Sequence, residues 1–72
     1  MQNSLDAAGV VLDRLPAVIR QTGFKKSSIY ALVRAGQFPA PVSLGPRAVA
    51  WVRADVQDWC KGRITQSRKV AA

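Results

Sequence analysis

The chain has 72 residues with 11 basic and 4 acidic side chains, a formal net charge of +7. Histidine is absent and Cys60 is the single cysteine, which excludes an internal disulfide, a Cys/His zinc site and histidine-based catalysis. A chain this small buries only about 60% of the surface that it exposes when unfolded. We therefore expect one surface-reading domain and no enzymatic activity. The charge favours a polyanionic partner, nucleic acid ahead of an anionic membrane surface.

The sequence also limits where the protein is expected to act. No apolar run reaches the roughly 18 residues that a membrane span needs, and the N-terminus lacks the charged segment and apolar core of a secretory signal. No glycine-rich phosphate loop is present. We expect a reduced, cytoplasmic setting, with no membrane partner, no cofactor and no metal.

The first predicted helix follows a segment without periodicity. Residues 1–12 are expected to form a flexible N-terminal arm ahead of a folded domain at 13–62. Pro16 suits the first turn of a helix, and Gly23 suits the position just after its end. The buried stripe, spaced as i, i+3, i+4 and i+7, is Leu15, Val18, Ile19 and Thr22.

A second helix is predicted after a short connection. Ile29, Leu32 and Val33 share one helical face, and Gly36 marks the end. Two short helices joined by a tight glycine-containing turn predict a helix-turn-helix. Lys26 is expected at the flank of the outward face. That face is predicted to carry Ser27, Tyr30, Ala31 and Arg34.

The periodicity then changes from helical to alternating. Three prolines between positions 39 and 46 exclude a helix, and apolar residues alternate with smaller ones over 42–44 and 48–51. The intervening Gly45-Pro46-Arg47 is a turn signal. We expect a two-stranded hairpin with Arg47 near its tip.

The last predicted helix carries an apolar stripe. Asp55 and Lys61 suit the positive and negative ends of its dipole. Gly62 marks the expected end of order, and residues 63–72 are expected to form a flexible basic tail. The fold class is therefore α+β, mainly α: a small winged helix-turn-helix in the order helix, helix, two-stranded hairpin, helix. The stripe consists of Val52, Val56, Trp59 and Cys60.

Residues 25–36 combine the properties of a helix that reads DNA. Basic side chains release counterions from phosphates, hydroxyl groups hydrogen-bond phosphates or base edges in the major groove, and the apolar face fixes the angle of the helix. Arg47 is expected to enter the neighbouring minor groove or contact its backbone. The predicted DNA-binding residues are Lys25, Lys26, Ser27, Ser28, Tyr30, Arg34 and Arg47.

These residues have simpler structural interpretations as well. Lys25 and Lys26 are compatible with solvated surface charges, and either serine, Ser27 or Ser28, with a cap of the second helix. Arg47 is compatible with a plain turn residue.

The other candidate residues also have structural interpretations. The Tyr30 ring is compatible with packing over a neighbouring cation. Arg34 has no acidic residue three or four positions away, which favours a partner outside its own helix. The segment 14–53 has seven basic and no acidic residues, which predicts one strongly positive side. Trp51 and Trp59 are expected in the core.

A spaced set of residues across 14–62 resembles a known family. The set includes Leu15, Val18, Thr22-Gly23-Phe24, Ser27, Tyr30, Leu32-Val33, Gly36, Phe38-Pro39, Pro41, Leu44-Gly45, Arg47, Trp51 and Trp59. This pattern resembles the AlpA-like regulators, short DNA-binding proteins of prophages and mobile elements, which are similar to excisionases and to the MerR-like winged-helix domain.

The resemblance implies a winged helix-turn-helix with its second helix in the major groove. By position, it gives the wing role to Arg47 and the recognition role to Lys26, Ser27, Ser28, Tyr30 and Arg34. Lys25 departs from the family, which usually has a capping serine or threonine there. Lysine cannot accept the N–H bond, so either Ser27 caps a shorter helix or water replaces the cap.

The expected partner is double-stranded DNA, at an attachment site or a promoter. The implied role is that of a transcriptional regulator or an excisionase (recombination directionality factor) that assists an integrase. One helix and one wing make a small footprint, so tight binding is expected to need several cooperating copies. The alternative is an adaptor that binds an acidic protein partner. A membrane-surface binder is disfavoured because the basic helix lacks a wide apolar face.

Overall fold

The computed structural model describes residues 9–71, with side chains through Lys69. Positions 1–8 of the expected arm lie outside the described residues. The predicted fold class is confirmed: the protein is a small α+β molecule, mainly helical, with the architecture of a winged helix-turn-helix. Its elements in chain order are β1 (Leu12–Asp13), α1 (Leu15–Thr22), α2 (Lys26–Arg34), β2 (Val42–Gly45), β3 (Ala48–Val52) and α3 (Arg53–Ala71).

The helix-turn-helix formed by α1 and α2 follows its local sequence signals. Pro16 lies in the first turn of α1, and Gly23 follows its last residue with a φ of 80°. Glycine adopts this left-handed conformation without strain, and the Gly23 amide donates to the Ile19 carbonyl at 2.8 Å. The chain therefore turns sharply, and α2 begins at Lys26.

The hairpin is confirmed, with Arg47 exposed in its turn. In the antiparallel register Val42 pairs with Ala50, and an irregularity between Ser43 and Gly45 marks a bulge near the turn. β3 is one residue longer than predicted. Val52 therefore belongs to the strand and not to the stripe of the last helix.

Strand β1 was not predicted from the sequence. Leu12 pairs with Val52 and Asp13 with Trp51, so the sheet has three strands in the order β1-β3-β2. A two-residue strand has no periodicity to detect, and its partner lies about 40 residues away. The predicted arm, residues 1–12, therefore extends one residue too far, because Leu12 is part of the sheet.

The core gathers one or two side chains from every helix and from β3. Trp51 is fully buried, and its indole Nε1 donates to the Pro39 carbonyl at 2.9 Å, so its polar group has a partner. Trp59 is half-buried, and its Nε1 donates to the Gln37 carbonyl at 2.8 Å. The buried cluster is Val18, Ile29, Phe38, Trp51 and Val56.

Helix α3 continues well past its predicted end. It runs through Gly62 to Ala71, so the expected end of order at Gly62 is wrong. A glycine costs a helix about 1 kcal/mol relative to alanine, which weakens the helix without stopping it. Residues 61–69 are all exposed. No helix in the described part of the chain is long and apolar enough to cross a membrane.

An ion pair joins the first strand to the last helix. Asp13 is 5% exposed, and Arg53 donates to its two carboxylate oxygens from Nε and Nη2, each at 2.8 Å. Gln21 on α1 donates to the same carboxylate at 2.9 Å. The hydrogen bonds from Arg53 lower the pKa of Asp13 below its ordinary value and outweigh the opposing effect of burial.

We expect Asp13→Asn to remove an acid-sensitive part of the stability. Because the pKa of Asp13 is lower in the folded chain than in the unfolded one, its contribution is full above the unfolded value of about 3.9 and disappears as pH falls through the folded value. Urea unfolding between pH 7 and pH 2 should show a lower midpoint for the variant at pH 7 and a flatter acid limb.

The exposed Asp58 supplies the control for this experiment. Asp58→Asn should leave both the midpoint and the acid limb close to those of the unmodified chain. An Asp13→Asn protein with unchanged stability at pH 7 would show that the ion pair contributes nothing to folding.

Candidate nucleic-acid interface

Helix α2 presents one apolar and one polar face. Ile29 is fully buried, while Leu32 and Val33 pack against the core. The side chains of Lys26 and Arg34 are exposed, as are those of Ser27 and Ala31. The predicted outward face is therefore exposed, with the exception of Tyr30. Lys26 and Arg34 lie eight residues apart, which is about 12 Å along the helix axis.

Tyr30 lies at the boundary between the two faces. It is half-buried, and its ring centroid is 6.1 Å from that of Trp51 with a tilt of 58°. The sequence predicts that Tyr30 faces solvent, and the structure shows that only part of its side chain does. Tyr30 follows the buried Ile29, and consecutive residues of a helix are rotated by only 100° from one another. The expected alternative, a ring packed over a neighbouring cation, is also wrong: the cation–π pair within residues 9–69 joins Arg63 to Trp59.

The start of α2 has no side-chain cap. Lys25 holds the cap position in an extended conformation and makes no capping hydrogen bond through its side chain. Ser27 and Ser28 lie inside the first turn, so a shorter helix capped by Ser27 is ruled out. The first-turn amides and the positive end of the helix dipole consequently lie beside Lys25 and Lys26.

The end of α2 is closed by backbone hydrogen bonds. Gly36 has a φ of 73°, and its amide donates to Val33 at 3.0 Å while that of Gln37 donates to Leu32 at 2.9 Å. This pattern satisfies the last carbonyls of the helix. It also directs the chain toward Phe38 and the core, which leaves Arg34 at the exposed end of the helix.

The hairpin is linked to α2 through the core. Trp51 on β3 contacts Tyr30 on α2, and Arg47 lies at the exposed turn of the same hairpin. The structure thus gives Arg47 a fixed framework, while its contact with DNA stays a prediction. The two lysines and two serines at 25–28 are close together because they are consecutive in the sequence. Arg34 lies about two helical turns further along α2.

The positive charge of this surface is not neutralised within the described chain. Among residues 9–69 the ion pair is Asp13 with Arg53. Arg53 was counted with the free basic residues from sequence, and its pairing corrects that count. Lys25, Lys26 and Arg34 are exposed and have no acidic partner among the described residues.

Sequence reasoning missed a second group of exposed cations on α3. Lys61, Arg63, Arg68 and Lys69 follow the packed half of that helix. The sequence places Lys61 at the end of the last helix and the other three in a flexible tail, because Gly62 suggests that the helix ends there. Within residues 9–71, no three cysteine or acidic side chains are close enough together to hold a metal ion.

We expect Tyr30→Ala to lower the free energy of unfolding by about 1–3 kcal/mol, because it removes a half-buried ring and its contact with Trp51. Tyr30→Phe keeps the ring and should stay within about 0.5 kcal/mol of the unmodified chain. Urea unfolding measures both values. An alanine variant as stable as the phenylalanine variant would show that the ring does not support the core.

Comparison with known proteins gives consistent matches. Residues 12–64 match the family model described as prophage CP4-57 regulatory protein (AlpA). The uncharacterized protein ORF88 of Enterobacteria phage P4 is 43% identical over 56 residues, which cover 78% of this chain and 64% of that protein. The DNA-binding transcriptional activator AlpA of Escherichia coli K12 is 34% identical over 56 residues, covering 69% of this chain and 80% of the relative. No solved structure matches.

Proposed function

The chain belongs to the AlpA family of prophage regulatory proteins, and we propose that it is a DNA-binding transcriptional regulator of a prophage or related mobile element. The family match supports this most strongly, because it covers β1, both helices of the helix-turn-helix, the hairpin and the packed half of α3. The Escherichia coli relative is named a DNA-binding transcriptional activator. The resemblance seen in the sequence is thereby confirmed.

In this proposal α2 enters the major groove with its polar face toward the bases. The major groove of B-DNA is about 12 Å wide, which accommodates an α-helix of about 10–12 Å diameter with its side chains. Lys25 and Lys26 neutralise phosphates near the start of the helix, where the uncapped amides also favour an anion. Arg34 binds a phosphate, or a guanine through two parallel hydrogen bonds.

Hydroxyl groups supply the finer contacts. Ser27 is exposed on the polar face of α2, and Ser28 and Tyr30 lie at its half-buried edges. Their hydroxyls donate to phosphate oxygens or to base acceptors. The Tyr30 ring rests on Trp51, so its hydroxyl would be held in place at little cost in conformational entropy.

The hairpin acts as the wing of this proposed interface. Arg47 at its turn would lie against the neighbouring backbone or in the adjacent minor groove. Trp51 belongs to the hairpin strand β3 and contacts Tyr30 on α2. The wing and the recognition helix would therefore approach the duplex as one rigid unit. A single helix and wing form a small footprint, and cooperative copies on adjacent sites would raise the overall affinity.

Regulation and excision require the same contacts. A protein bound at a promoter regulates transcription, and one bound at an attachment site acts as a recombination directionality factor beside an integrase. Footprinting on both segments of the mobile element separates the two roles. Protection of the promoter alone supports the regulator, and protection of the attachment site supports the excisionase.

The proposed interface predicts a steep salt dependence. Duplex affinity should fall with a log–log slope of about −3 or steeper if three or more phosphates are contacted. Lys26→Gln and Arg34→Gln should each reduce the size of this slope by about 0.9 and leave the melting temperature unchanged, because both side chains are exposed. Fluorescence anisotropy against salt concentration measures the slope.

Arg20 on α1 is the matched control. It is exposed and borders Arg53 and Gln57, on the side of α1 that faces α3. Arg20→Gln removes the same charge and should leave the slope almost unchanged. A slope near zero for the unmodified chain would contradict DNA binding and favour the acidic-protein adaptor, and equal losses in all three variants would contradict the assignment to α2.

A further inference from the structure

Helix α3 consists of two halves with opposite properties. In the first half Val56 is fully buried and Trp59 and Cys60 pack against the core, while Asp55 and Asp58 are exposed. In the second half, residues 61–69, every side chain is exposed, and the charged ones are all basic. This half buries almost nothing, so packing does not explain its composition.

The cations of the second half form a stripe. At 100° per residue, Lys61, Thr65, Arg68 and Lys69 fall within about 100° of one another around the helix. Lys61 and Lys69 are separated by about 12 Å along the axis. A helix that is merely solvated commonly alternates charges at four-residue spacing. Here no acidic residue lies between positions 59 and 71.

The other side of this half helix is anchored next to the helix-turn-helix. The Arg63 guanidinium carbon lies 4.8 Å from the centroid of the Trp59 ring, a cation–π distance. Phe24 contacts the same indole, with the ring centroids 5.9 Å apart. Arg63 and Phe24 also line one open groove of about 580 Å³. Since Lys25 follows Phe24, the basic half of α3 starts beside the beginning of the proposed recognition helix.

We propose that residues 61–69 of α3 are a second DNA-backbone contact, presented on the side of the helix opposite Arg63. This inference rests on the proposed function. The stripe carries Lys61, Arg68 and Lys69 with the hydroxyl of Thr65 among them, a set that suits phosphate oxygens. At about 3.4 Å of duplex axis per nucleotide, 12 Å of helix follows three to four nucleotides of one strand.

A lipid surface does not fit this stripe. Ile64 is the one large apolar side chain between positions 61 and 69, and a helix that lies on a membrane needs a broad apolar face. An acidic protein is the remaining polyanion. Charge complementarity favours DNA, because a row of cations with a hydroxyl group among them matches the evenly spaced phosphates of the proposed partner.

Charge removal tests the proposal on a mixed-sequence DNA duplex. The variant K61Q/R68Q/K69Q should bind about 10- to 30-fold more weakly near physiological salt, and the size of its salt slope should fall by about 2.7. The charge-preserving variant K61R/R68K/K69R should retain the affinity. Circular dichroism checks that both keep their helix content, which glutamine and arginine support.

A charge insertion gives an independent comparison on the same helix. Thr65→Glu places a carboxylate inside the stripe, and Gln66→Glu places the same charge on the groove side one residue later. We expect Thr65→Glu to weaken duplex binding several-fold more than Gln66→Glu. Equal effects of the two substitutions would overturn the stripe as a contact surface.

The outcomes separate this inference from the proposed function. If the unmodified chain binds the duplex with a steep slope and the triple glutamine variant behaves identically, the second contact is wrong and the function stands. If the unmodified chain does not bind DNA, the proposed function itself is wrong. If the triple variant loses affinity for polyglutamate but not for DNA, the stripe binds an acidic protein and the inference is overturned.

Discussion

The burial of Trp51 is the constraint on which the rest of the molecule depends. Its indole is fully enclosed, donates to the Pro39 carbonyl and contacts the Tyr30 ring. Through these contacts one side chain fixes the hairpin, the loop after α2 and α2 itself relative to one another. A chain of 72 residues has few such side chains, so the angle between helix and wing depends on this residue more than it would in a larger core.

The charged residues of the described chain include one partly buried ion pair and a larger set of exposed cations. Asp13, the buried acid, is held by Arg53 and Gln21 and joins the first strand to the last helix. That pair uses one arginine internally. The cations of α2, the hairpin turn and the end of α3 have no such partner among the described residues, and our proposals assign them to DNA phosphates.

Local signals predicted most of the fold, and pairing between distant residues accounts for what was missed. Pro16 and Gly23 delimit α1 because their backbone preferences act within one turn. The sequence did not predict β1, because Leu12 adopts strand structure only by pairing with the distant Val52. The length of α3 was underestimated because Gly62 lowers helix stability without ending the helix. On the candidate interface, periodicity identified the exposed face but not the half-buried position of Tyr30, which depends on where Trp51 lies.

The central claim is that α2 and the hairpin form one surface that lies along a duplex. The most direct measurement is an experimental structure of the chain bound to a DNA duplex. We predict that α2 lies in the major groove with Lys26 and Arg34 against phosphates or base edges, and that Arg47 contacts the neighbouring backbone or minor groove. A complex in which the polar face of α2 points to solvent, with Arg47 remote from the DNA, would contradict the claim.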